Sequence, residues 1–230
     1  MTKPLVIFGS GEIASLARYY FETDAGREVV AFTVDDDYAG EETFEGRPLL
    51  AWSQTLTRFP PGEAEIHVAL SYQKLNRLRQ AKYEQVKAAG YTLPSYVCSK
   101  ASVWPDLIHG DNCFILEDQV IQPTCRIGNN VMLWSGNHIG HGSMIGDHTY
   151  FASHVVVSGH CTIGQRCFFG VNATLRDFLS IGDDCFIAMG AGIVKDLGDG
   201  AVALGAASTL LEGDDPKAVK IRNRYFGIEG

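Results

Sequence analysis

The chain has 230 residues, 46% hydrophobic and 20% charged, a globular balance that supports a buried core without disulfide or metal staples. Its formal charge of -8 argues against a nucleic-acid binder, which needs a basic face to neutralise phosphates. No stretch approaches the roughly 18 apolar residues of a membrane helix. The N-terminal LVIF run meets a glycine turn too early for a signal peptide, so a cytoplasmic location is expected, with no membrane partner.

In chain order, PLVIF (4–8) reads as a buried strand, GSG (9–11) as a turn and EIASLARYYFE (12–22) as a helix. REVVAFTV (27–34) is a second buried strand and runs into Asp35, Asp36 and Asp37; EIHVALS (65–71) is a third. QKLNRLRQAKYEQVKAAG (73–90) predicts a long amphipathic helix closed by Gly90. Strands alternating with helices predict an α/β, Rossmann-like βαβ unit with a mostly parallel sheet.

From about residue 100 the period changes. Every sixth residue from Val103 to Ile193 is aliphatic or phenylalanine except His109, and glycine often follows, as at Gly128, Gly140, Gly146 and Gly164. The fifth place is small in most hexads, and it holds every cysteine except Cys98. These cysteines read as inward packing groups. Disulfides are disfavoured in a cytosolic protein, no zinc-type CxxC pair is present, and no metal is expected. A six-residue period predicts a parallel β-helix, each hexad giving one short strand and one corner of a triangular coil. The register from 103 to 193 makes five coils.

His141 falls third in its hexad, at a corner, so its imidazole is expected to point outward. A neutral imidazole there suits proton abstraction near pH 7. His138, His148, His154 and His160 are read as occupying different hexad positions, spread over corners and faces as surface or interface residues rather than a metal cluster. Asn137 takes an inward place and needs hydrogen-bond partners. The turn formed by Gly9, Ser10 and Gly11, with Ser15 beyond, opens a helix N-terminus that can hold an anion. Asp35 stands at the spacing of a ribose ligand, but the unit is half of a full dinucleotide fold.

GSGEIAS (9–15), VDDD (34–37), the unbroken hexads, IGHGSMIGD (139–147) and MGAGIVKD (189–196) together resemble one family. It comprises the sialic-acid O-acetyltransferases and sugar-nucleotide N-acetyltransferases, including enzymes of UDP-linked 4-amino sugars and GDP-perosamine. The resemblance spans nearly the whole chain. It implies a left-handed helix hand and a division into residues 1–98 (sugar-nucleotide binding), 99–200 (β-helix acyltransferase) and 201–230 (C-terminal cap). It also implies a homotrimer and an acetyl group passed from acetyl-CoA directly to a nucleotide-linked amino sugar.

By the same resemblance His141 is the general base and Gly159, one coil on, offers its N–H to the oxyanion. Ala188, Met189 and Gly190 meet the pantetheine arm, and Lys195 reaches the CoA phosphates. Gly9, Ser10, Gly11, Asp35 and Asp36 meet the nucleotide, with His138 near the acceptor. The sequence departs from the family at Gly142, where relatives carry an acid that orients the base, leaving Asp147 or an adjacent chain to supply one. It departs again at Gly205, Ala206 and Ala207, in place of a Gly-x-Pro-Ala motif. Two other functions fit the same residues: O-acetylation of a sugar hydroxyl, and a non-catalytic trimeric scaffold that binds a sugar nucleotide.

Overall fold

A computed structural model describes residues 3–227. The first unit is a five-stranded sheet of order β3-β4-β2-β1-β5, built from β1 (Leu5–Phe8), β2 (Val29–Val34), β3 (Thr43–Phe44), β4 (Arg47–Ala51) and β5 (Glu65–Val68). β1 pairs in parallel with β2 and β5, and only the edge strand β3 runs antiparallel. Helix α1 (Glu12–Thr23) buries Ala14, Ala17 and Phe21, while α2 (Trp52–Arg58) buries only Thr55. Because the chain runs from β1 to β2 and β4 on one side and then crosses to β5 on the other, a crevice opens at the C-terminal end of β1, the usual ligand position of such sheets.

The β-helix follows the hexads. Its two-residue strands begin at Tyr96–Val97 and stack into three parallel sheets, and up to Thr174–Leu175 each strand pairs with the one eighteen residues on. One residue of each strand points in and the other out. The inward set forms one continuous core, in which Phe151 and Phe169 stack with centroids 4.4 Å apart. The small fifth residues do more than fill space. Cys113 Sγ lies 3.1 Å from Gly128 O, Ser143 Oγ 3.1 Å from Ser158 O and Thr149 Oγ1 3.0 Å from Gly164 O, so each donates to a corner carbonyl. All six cysteines are free and buried. From Asn112 to Gly190 the fourth place of each hexad is left-handed, with φ of 54° at Asn130, 63° at His148 and 56° at Arg166. Asn and His tolerate this region better than most side chains.

Two expectations change at the ends. The predicted helix over 73–90 begins only at Arg77, as α3 (Arg77–Ala88). Lys74, Leu75 and Asn76 form a left-handed turn, because the buried Asn76 amide must reach Arg166 O and Cys167 O on the β-helix. The last coil is short: Ile181 pairs with Leu197 and Ile187 with Ala203, sixteen residues on. The strand Val202–Ala203 covers one edge, whereas α4 (Pro216–Phe226) buries none of its side chains.

The two units share a core. Phe114, Met132 and Tyr150, on the outer face of one β-helix sheet, pack against Leu5, Ile7, Ala14 and Phe21. Arg79 of α3 is 1% exposed. Its guanidinium donates to Asn130 O and His148 O on left-handed corners and to Asn76 Oδ1 in the turn before α3. Burial pulls its pKa down to about 10.

Candidate active site

His141 sits on the corner between the strands His138–Ile139 and Met144–Ile145. Along a neighbouring corner column, the third-place N–H is capped by the third-place side chain one coil on. Asn129 N–H donates to Asp147 Oδ1 (2.7 Å) and Gln165 N–H to Asp183 Oδ1 (3.0 Å). The corner column of His141 runs Pro123, His141, Gly159, Asp177, Lys195. Gly159 has no side chain to cap His141, and Gln122 takes over. Its Oε1 accepts the His141 backbone N–H at 2.8 Å and meets Nδ1 at 2.9 Å. Asp147, the acid suggested by the sequence, instead serves Asn129 N–H and is not the partner of the base.

Gly159 does lie against His141, but its expected role changes. A Cβ there would stand 2.8 Å from His141 Cε1 and 3.0 Å from Nε2, so glycine makes room for the ring. Its N–H donates to Asp177 Oδ1 at 2.9 Å, the same cap seen along the neighbouring column, and is not free for an oxyanion. His160 meets His141 edge to face at 4.8 Å and stacks flat on Phe178 at 5.1 Å. Cys161, nearby in sequence, is buried in the core, and burial raises its thiol pKa.

Of His138, His148, His154 and His160, only His138 stands at a hexad place of its own. His148, His154 and His160 share the fourth hexad place, on three successive corners, all with positive φ. His148 is not a surface residue. It is 5% exposed against Tyr83, and burial, with Arg79 adding, lowers its pKa to about 4. Among the described residues no group of acidic, His or Cys side chains is arranged to hold a metal. Asn137 is satisfied structurally, donating to Trp134 O and accepting from Val155 N–H.

His138 points outward from the sheet that also carries Val120 and Val156. Lys195 is exposed on the His141 column two coils beyond Gly159, roughly 14 Å from His141 at the coil spacing of about 4.8 Å. Ala188, Met189 and Gly190 lie on the corner at the opposite edge of that sheet, with the tail at Gly205 packed against Met189 O. The candidate CoA residues therefore flank one sheet from both edges rather than forming one cluster within the chain.

A second site lies at the end of β1. Gly9, with φ 135°, fits because a Cβ would stand 2.7 Å from Ala69 O. Beyond it a cleft of about 340 Å³ is lined by Gly11, Ser71, Tyr72, Gln73, Trp134 and Tyr150 among others. Tyr150 is buried, which pushes its pKa up to about 12, and the buried Trp134 Nε1–H beside it makes no well-formed hydrogen bond among the described residues. Of the sequence candidates only Gly11 lines this cleft; Gly9 shapes its wall and Ser10 is exposed. Asp35 is paired with Lys82 at 2.7 Å, and Asp36 caps the Ser53 N–H at 3.0 Å, which lowers its pKa. Gln122, Trp134 and Gln73 were not singled out in the sequence. Their contacts join residues from different coils or domains, and no local motif marks them.

Residues 124–159 match the family model for the bacterial transferase hexapeptide (six repeats). The fold is similar to that of PerB from Caulobacter crescentus, solved with CoA and GDP-perosamine, at 22% identity and a TM-score of 0.79, covering 92% of this chain and 99% of that one. It is similar to the acetyltransferase domain of PglB from Neisseria gonorrhoeae, solved with acetyl coenzyme A, at 22% identity and TM-score 0.78, over 90% and 100% of the chains. WeeI from Acinetobacter baumannii matches at 19% identity and TM-score 0.76, over 91% and 100%. The chain is thus a hexapeptide-repeat, left-handed β-helix protein with an N-terminal α/β domain. More particularly, it has the fold of PerB, of the PglB acetyltransferase domain and of WeeI, and the resemblance read from its sequence holds for both the repeat and the fold.

Proposed function

We propose that this protein is an acetyl-CoA-dependent N-acetyltransferase acting on a nucleotide-linked amino sugar. The observation that carries the reading is His141. It is an exposed corner imidazole with Nδ1 held by Gln122, standing clear over Gly159, in the fold of PerB, which was solved with CoA and GDP-perosamine. The sugar amine attacks the thioester carbonyl, and its proton passes to His141 Nε2. The C–S bond then breaks and the proton follows to the CoA thiolate, giving an amide and free CoA. No covalent enzyme intermediate is required.

The cleft at the end of β1 suits the nucleotide part. It combines the α1 N-terminus with aromatic walls at Tyr72, Trp134 and Tyr150. His141 does not line that cleft, so acceptor and base meet if chains associate. A homotrimer supplies this, with CoA lying between the His141–Lys195 column of one chain and the Ala188–Gly190 corner of another. The experiment is release of free thiol from acetyl-CoA by the purified protein, offered UDP-, dTDP- and GDP-linked amino sugars beside their hydroxyl counterparts. Release with an amino sugar supports the proposal. Release only with a hydroxyl sugar reassigns it to O-acetylation, and no release with no CoA binding leaves a scaffold.

A further inference from the structure

The structure assigns Gln122 as the positioning residue of His141: its amide oxygen fixes the imidazole as the Nδ1–H tautomer and leaves Nε2 as the lone-pair nitrogen. Two contacts establish this together. A backbone N–H can only donate, so the Gln122 atom it meets at 2.8 Å is the amide oxygen, not the amide nitrogen. That same oxygen stands 2.9 Å from Nδ1 and can only accept, so Nδ1 carries the hydrogen. A neutral imidazole has one N–H, and Nε2 is therefore the base.

The surroundings hold Gln122 in place. Its own N–H donates to Ile139 O at 2.9 Å, and Pro123 follows with a locked φ. Gly159 removes the side chain that would otherwise cap His141 N–H, and so makes the Gln122 contact necessary. The titratable groups around His141 are His160, ring to ring, and Asp177, which holds the Gly159 N–H one coil on. A carboxylate at the Nδ1 side would favour the imidazolium; an amide oxygen orients the ring without adding charge. The acid absent at Gly142 is thereby replaced by a neutral acceptor nineteen residues before the base.

The inference deepens the acetyltransfer reading, but its first test is independent of activity. ¹⁵N spectra of histidine-labelled protein, with the His141 signals identified by their loss in His141→Asn, report the tautomer directly. The wild type is expected to show Nδ1–H at His141. Gln122→Met, which keeps length without the oxygen, is expected to move His141 toward the Nε2–H form and to lower kcat roughly tenfold at unchanged KM for acetyl-CoA. Gln122→Glu is expected to restore the Nδ1–H form and shift the acid limb of kcat/KM to higher pH. An Nε2–H wild type, or a Met variant with unchanged tautomer and kcat, overturns the assignment. Nδ1–H without any acetyl transfer would sink the proposed function and leave the positioning role standing.

Discussion

At the scale of single residues, the corner works because Gly159 gives up a side chain. Gly159→Ala would place a Cβ 2.8 Å from His141 Cε1. Displacing the ring by under an ångström should lower kcat by roughly tenfold or more, with little change in thermal midpoint; kinetics and a melting curve on the same sample check both. Asp177→Ala tests the other half of the corner. It removes the cap on Gly159 N–H, at an expected cost of about 1 kcal/mol in urea unfolding, and should not reduce kcat. A tenfold loss there would instead give Asp177 a part in the chemistry. The exposure of His141 was legible in its hexad place, and its role as base came with the family resemblance. Gln122 was not, since its contact crosses from one coil to the next with a one-residue offset that no local pattern encodes.

At the scale of elements, the hexad rule carries the stability of the β-helix. Phe151 is fully buried and stacked on Phe169, so Phe151→Ala should cost about 3–5 kcal/mol. The outward Val156, 37% exposed, should lose under about 1 kcal/mol on the same change. Denaturant titrations of the two variants decide whether the in–out alternation is correct. The β-helix was legible because large inward residues must recur once per strand. The start of α3 was not: Gln73–Asn76 has helical spacing, but the buried Asn76 amide overrides it by bonding two carbonyls of another domain. The β3–β4 hairpin and α2 were also absent from the sequence reading, their strands and helix being short and weakly patterned.

For the whole molecule, two buried histidines make stability depend on pH. His67 is fully buried within the first domain and His148 lies at the junction, and burial lowers both pKa values to about 4. In the unfolded chain each has a pKa near 6.5 and binds protons more readily. Stability from these groups is therefore complete above about pH 6.5 and lost as pH falls toward 4, on the order of 3 kcal/mol for each. The thermal midpoint should be flat from pH 8 to 7 and drop through pH 6 and 5; a midpoint unchanged down to pH 4 would mean that one or both histidines open to solvent. Arg79, buried on carbonyl oxygens, supports the same junction, and no acidic partner marks it in sequence. The split between the His141 corner and the β1 cleft has a larger consequence: light scattering should give three times the mass of one chain.

The central claim is that His141 takes the proton during direct acetyl transfer. It is tested most directly by comparing wild type with His141→Asn at saturating acetyl-CoA and the best amino-sugar acceptor, following thiol release while CoA binding is measured separately. The account predicts a kcat lower by about 10²-fold or more with CoA affinity retained. A variant within a few-fold of the wild-type rate would remove His141 from the chemistry.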